Sequence, residues 1–161
     1  MMIGTESLTL RQDALAAFLS AVMHYFDHMA GVPAITETPY LLEGMPEVMD
    51  FTSVIGISGY LQGCIYYTAP RHMVDRLLKL VHEPDPTDEL RCDMVGEVAN
   101  TLSGNARRQL GPGFMISVPV VIQGRPDRLV WPKATACFAI PIVWQEMRSL
   151  LMVCLTDNPS A

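Results

Sequence analysis

The chain has 161 residues, half of them apolar and 17% charged, with a formal net charge of -6. That length suits one domain spanning residues 1–161, with a core that needs neither metal nor disulfide staples. The acidic balance excludes a nucleic-acid binder, which needs a basic patch to neutralise phosphates; the nearest thing to one is the pair Arg107 and Arg108.

No segment approaches the ~20 consecutive apolar residues of a membrane span. Residues 1–13 lack the basic start and apolar stretch of a secretory leader, so a soluble, cytoplasmic protein is expected. Cys64, Cys92, Cys137 and Cys154 form no Cys-x-x-Cys pair and fit neither a zinc ribbon nor a redox motif. Three of them sit in apolar runs and read as reduced, buried, small hydrophobes. Eleven methionines read as adaptable core filler.

In chain order, residues 8–30 predict a helix. Leu15, Phe18, Leu19, Val22, Phe26 and Met29 recur at the spacing of one buried stripe, and Gly31 and Pro33 end it. Residues 34–44 read as a strand. Val54–Gly59 and Cys64–Thr68 are β-prone runs around Tyr60–Gly63, a hairpin pattern. Pro70 opens a helix to about Val81, with Met73, Leu77, Leu78 and Val81 on its apolar face. Asp85 suits an N-cap with Pro86 at the first helical position, and the helix it starts runs to Leu110, roughly 37 Å at ~1.5 Å per residue. Gly111-Pro112-Gly113 stops it. Residues 115–122, 136–144 and 149–156 are three strand-length β-prone runs, the last two joined at Gln145-Glu146. The order predicts an α+β fold: an antiparallel sheet with one long helix packed on another.

The helix of residues 86–110 carries the candidate chemistry. At ~100° per residue, Val95, Val98, Leu102, Ala106 and Leu110 share an inner face, and Glu97 and Asn100 fall almost opposite as an i,i+3 pair. Asp93 and Gly104 lie on the same outward strip. Polar residues on the wet side of an amphipathic helix are ordinary. Gly96 and Gly104 are not, since glycine in a helix interior costs about 1 kcal/mol against alanine and marks a close approach by something else.

Asp93 followed by Gly96-Glu97-Val98-Ala99-Asn100 and then Gly104-Asn105-Ala106 resembles the signature of the CheC/CheX/FliY phosphatases. Phe18–Gly31 resembles the first CheX helix, and Ile55–Gly59 with Gly63–Thr68 its central hairpin. Phe114–Gly124, with Ser117-Val118-Pro119 inside, resembles the strand after the motif helix. CheC-type members carry a second Glu-x-x-Asn motif on the first helix; its absence here points to the single-motif CheX-like group.

The resemblance implies a phosphatase acting on a CheY-type response regulator phosphorylated on aspartate. Asn100 would orient the attacking water and Glu97 would dock the receiver's lysine. Asp93, Gly104 and Arg107 would add partner contacts. It implies no cofactor of the chain's own, with Mg²⁺ supplied by the receiver, and a homodimer.

The alternative is a non-catalytic adaptor or flagellar-switch-like module that binds a receiver domain. His24 and His28 form an i,i+4 pair that could hold a metal, but no third ligand accompanies them in sequence. The glycines at 56, 59 and 63 precede no Lys-Ser/Thr, Ser58 lacks a nucleophile-elbow setting, and no convergent polar pocket supports a small-ligand sensor.

Overall fold

The computed structural model describes residues 5–44, 47–126 and 136–160. Among the described residues, three helices pack on one face of an eight-stranded antiparallel sheet. The elements are α1 (Thr5–Ala30), β1 (Ile35–Thr36), β2 (Tyr40–Leu41), β3 (Phe51–Gly59), β4 (Leu61–Ala69), α2 (Arg71–Leu80), α3 (Asp88–Leu110), β5 (Phe114–Ile116), β6 (Val120–Gln123), β7 (Ala136–Trp144) and β8 (Met147–Asp157). The strand order is β1-β7-β8-β4-β3-β5, with β2 also on β7 and β6 also on β3. The α+β class and the packing of α1 along α3 are as the sequence predicts.

The helix stripes read from spacing form the core. Phe18, Val22 and Phe26 of α1, Met73 and Leu77 of α2, and Val95, Val98 and Leu102 of α3 lie buried against Ile55, Ile65, Tyr67, Phe114, Trp144 and Leu151. Each fully buried side chain of this size contributes about 1.5–3 kcal/mol of transfer free energy. Trp144 closes the far end, its indole N–H donating to the Val32 carbonyl at 3.1 Å while its ring tilts on Phe26. The opposite face is also covered: Tyr66, Cys137, Ala139, Leu150, Met152 and Cys154 are buried, partly under Leu42, Val48 and Met49. Burial on both faces is why β4 and β8 read as continuous apolar runs instead of an alternation.

Several boundaries differ from the sequence reading. The cap of α3 is Thr87, not Asp85: its hydroxyl accepts from the Leu90 N–H at 3.2 Å, and Pro86 stays in the loop. A threonine in extended backbone one residue before the first turn outcompetes an aspartate three residues away. The strand expected over 34–44 is two short pieces on β7, with residues 37–39 between them. The hairpin of β3 and β4 runs longer than Val54–Thr68, pairing from Phe51↔Ala69 to Ile57↔Gly63. Beyond that point the strands part, Ser58 and Gly59 pairing with β5 and Leu61 and Gln62 with β8. The run over 115–122 is broken. Between the pairs Ile57↔Ile116 and Val54↔Val120, three residues face two, a β-bulge. Pro119 has no N–H to give the ladder, and the Gly56 N–H donates instead to the Ser117 hydroxyl at 2.8 Å.

The cysteines overturn the reduced reading. Cys137 and Cys154 form a disulfide, while Cys64 and Cys92 are free. Apolar flanks showed burial, but only strand register could show that two distant cysteines stand opposite each other.

Candidate active site

The site is built on the outward strip of α3. Met94, Val95, Val98, Ala99, Leu102 and Ala106 point into the core, which leaves Asp93, Glu97 and Asn100 exposed on successive turns. The helix start is held rigidly. Asp88 accepts from Arg71 and Arg91, each at 2.7 Å, and from the Gln123 amide at 2.7 Å, tying α3 to α2 and β6. Arg91 also reaches Asp75 of α2 at 2.6 Å.

An open depression of about 410 Å³ lies over this strip, lined by Asp93, Gly96, Glu97 and Asn100 on one side and by Pro119 and Val121 on the other. Gly96 is what permits it. A Cβ there would stand 3.2 Å from Val121 Cγ2 and 3.8 Å from Pro119 Cγ, so the bulged β5–β6 segment packs on bare helix backbone. The carboxylate and the carboxamide thus stand beside an apolar wall supplied by the same chain.

Glu97 faces a second space as well. A groove of about 500 Å³ runs between α1 and α3, and Glu97 lines it together with His24, Tyr25, Met29, Thr101 and Arg108. The Thr101 hydroxyl donates to Glu97 Oε1 at 3.3 Å. Burial, then Tyr67, then the Glu97 charge push the Tyr25 phenol well above its ordinary range, so it stays protonated. His24 and His28 stack with ring centres 5.6 Å apart. Among the described residues, no three His, Cys, Asp or Glu side chains come together as a metal set.

Cys92 also lines the depression. Burial, then Asp88 and Asp93, raise its thiol above the usual value. A thiol so held is a poor nucleophile at neutral pH, which disfavours a cysteinyl-phosphate route here. What the strip offers is hydrogen-bonding groups around an open approach from solvent.

The family model described as chemotaxis phosphatase CheX matches residues 51–143, more than half of the chain and all of this site. The chain belongs to the CheX family. Among solved structures, a CheX from Desulfovibrio desulfuricans is similar at 26% identity, with 89% of this chain and 99% of that one covered and a TM-score of 0.80. A CheX from Vibrio vulnificus has 23% identity, coverage of 89% and 99%, and a TM-score of 0.79. A Borrelia burgdorferi CheX solved in complex with CheY, BeF3 and magnesium shares the fold at 21% identity, coverage of 89% and 98%, and a TM-score of 0.71. No protein of curated function matches the chain.

In this CheX-family chain the structure groups three of the five residues singled out from sequence, Asp93, Glu97 and Asn100, in one depression. Gly104 and Arg107 lie farther along α3. Nothing stands within 4 Å of where a Gly104 Cβ would be, so the helix there is bare and open. Arg107 is exposed, but its Nε donates to the Phe114 carbonyl at 3.0 Å and so holds the start of β5. Sequence reasoning did not find Cys92, Pro119, Val121 or Thr101. The signal for Pro119 was present, as a proline interrupting a β-prone run; nothing in the sequence says what lies beneath that run. Among the described residues no helix is long and apolar enough to cross a membrane.

Proposed function

We propose that this chain hydrolyses the aspartyl phosphate of a CheY-type receiver domain, with Asn100 orienting the attacking water and Glu97 docking the partner. The observation that carries this reading is the co-location of exposed Glu97 and Asn100 in one depression of a rigidly held helix, within a CheX-family fold. The complex of the Borrelia CheX with CheY supports the choice of partner.

The geometry suits that chemistry. Hydrolysis of an acyl phosphate needs a water in line with the bond from phosphorus to the aspartyl oxygen, and most of the catalysis is positioning and charge stabilisation. A carboxamide both donates and accepts, so Asn100 holds a water by its carbonyl oxygen without presenting a negative charge to the phosphoryl group. The water attacks phosphorus, the bond to the aspartyl oxygen breaks, and inorganic phosphate and a free carboxylate result. A magnesium ion belonging to the receiver, not to this chain, would neutralise the phosphoryl oxygens. Glu97 makes a charge-assisted hydrogen bond to a receiver lysine, which fixes the register of docking. Asp93 adds a contact at the rim, and Gly104 and Arg107 extend the docking strip along the helix.

A homodimer joined through sheet edges fits the same family reading. Ile35, Tyr40 and Leu41 on one edge and Val118 and Val120 on the other leave large apolar side chains exposed.

The decisive experiment phosphorylates purified receiver domains with a small phosphodonor, removes the donor, and follows phosphate loss with the wild-type chain and with Asn100→Ala. Accelerated loss with one receiver, abolished in the variant, is expected. Binding to a receiver without acceleration would replace this reading by the adaptor one.

A further inference from the structure

The helix-free face of the sheet carries three cysteines in one row. Cys64 of β4 stands opposite Cys154 of β8, and Cys154 stands opposite Cys137 of β7. Directly opposed residues project on the same face of a pleated sheet. The three side chains therefore lie side by side across three strands, with Cys154 in the middle. Cys137 holds Cys154 in a disulfide, and Cys64 is free.

Both neighbours are within bonding reach of Cys154. Its Cα lies 4.0 Å from that of Cys137, the close approach of a pair that exchanges no backbone hydrogen bonds. The polar backbone of Cys154 then turns toward β4, and its carbonyl lies where a Cβ on Gly63 would fall. Pair types alternate between the two sides of a strand, so Cys64 and Cys154 form the wider type, with Cα atoms about 5.5 Å apart. Disulfides usually span about 4.4–6.8 Å between Cα atoms, so the wider Cys64–Cys154 pair also lies within reach.

Access and chemistry differ along the row. Cys154 is fully buried and Cys137 is 8% exposed, whereas Cys64 is only partly buried. The Tyr66 hydroxyl, two residues along β4 on the same face, hydrogen-bonds Cys64.

We propose that Cys64, Cys154 and Cys137 form a thiol–disulfide relay in which Cys154 exchanges its partner between Cys137 and Cys64. Cys64 gives its proton to water, and its sulfur attacks Cys154 Sγ from the side opposite Cys137. The Cys64–Cys154 bond forms as the Cys137–Cys154 bond breaks, and Cys137 leaves as a thiolate and takes up a proton. Each side of the reaction has one disulfide and one thiol, so no oxidant or reductant is consumed. The exchange moves the covalent tie on β8 from β7 to β4, and it gives a partly exposed thiol access to a buried disulfide.

The test equilibrates the full chain in a buffer of reduced and oxidised glutathione, quenches with acid, alkylates the free thiols and maps disulfides after trypsin. The four cysteines fall on four different tryptic peptides, because Arg71, Arg91, Arg107, Lys133 and Arg148 separate them. Both Cys137–Cys154 and Cys64–Cys154 linkages are expected in the wild type, the second at roughly one-tenth of the first or more. Cys137→Ser is expected to carry only Cys64–Cys154, and Cys64→Ser only Cys137–Cys154. Absence of the Cys64–Cys154 linkage from the wild type overturns the relay, whether or not Cys137→Ser folds. So does linkage of Cys92 at the same level, which would mean that the pairing does not follow the row.

Discussion

Gly96 lies directly beneath Val121: a Cβ at position 96 would come within 3.2 Å of Val121 Cγ2, while at Gly104, two turns farther along the same helix, a Cβ would meet nothing within 4 Å. The two helix glycines therefore have different reasons to be glycine. One makes room for the chain's own bulged strand, and the other leaves the outward strip bare.

Different effects on stability follow. Gly104→Ala adds helix propensity with no clash and is expected to stabilise by about 0.5–1 kcal/mol, a rise of roughly 1–4 °C in Tm for a chain of this size. Gly96→Ala gains the same propensity but must displace a β-branched side chain with little freedom, so it is expected to fall below Gly104→Ala by about 1 kcal/mol or more. Thermal unfolding of the two variants checks this. If Gly104 faces the receiver, its variant is also slower as a phosphatase despite being more stable.

Glu97 and Asn100 are exposed and bury nothing, so neither is expected to matter for folding. Substitution of either should shift stability by no more than about 0.5 kcal/mol. Their kinetic signatures should separate. Asn100→Ala is expected to lower the rate of phosphate loss at saturating receiver by about 100-fold, since it removes a positioning group for the water. Glu97→Gln removes a charge-assisted hydrogen bond worth about 1.5–3 kcal/mol and is expected to raise the half-saturating receiver concentration by about 10- to 100-fold. Equal effects on both parameters in both variants would contradict this division of roles.

Acid stability should depend on Asp88. Hydrogen bonds from Arg71 first, and then from Arg91, hold its carboxyl below the usual carboxylate range in the folded state. A depressed folded value contributes stability that is present above the unfolded value, about 3.9, and is lost as pH falls through the lower folded one. Asp88→Asn is expected to be less stable than wild type at neutral pH and to show a shallower loss at acid pH. Urea midpoints collected from pH 7 down to about 2.5 measure both.

The alkaline limb should report Tyr67. It is fully buried at the centre of the core and donates to the Ser149 hydroxyl at 3.2 Å. Burial pushes its phenol up to about 12, partly offset by that hydrogen bond. A raised folded value gives stability that is complete below the unfolded value near 10 and is lost as pH rises through about 12. The loss from this one group is on the order of 2–3 kcal/mol. Tyr67→Phe is expected to flatten the decline between pH 10 and 12, read from the same denaturant midpoints.

Local spacing alone determined much of this protein. The apolar stripes of α1, α2 and α3, the turn at Gln145-Glu146 and the glycine stop at Gly111 are written in residues a few positions apart, and both turn residues have the positive φ of a tight hairpin. So is the outward strip with Asp93, Glu97 and Asn100, because a 3.6-residue period decides which side chains face water once the inner stripe is buried. Tertiary structure alone decided what those residues face. Pairing of β5 and β6 with β3 brings Pro119 and Val121 over Gly96, and pairing of β8 with both β4 and β7 sets three cysteines in a row. Strand partners and register depend on contacts between residues tens of positions apart, and a one-residue slip would turn every such side chain to the opposite face. No local pattern in the sequence carries that information.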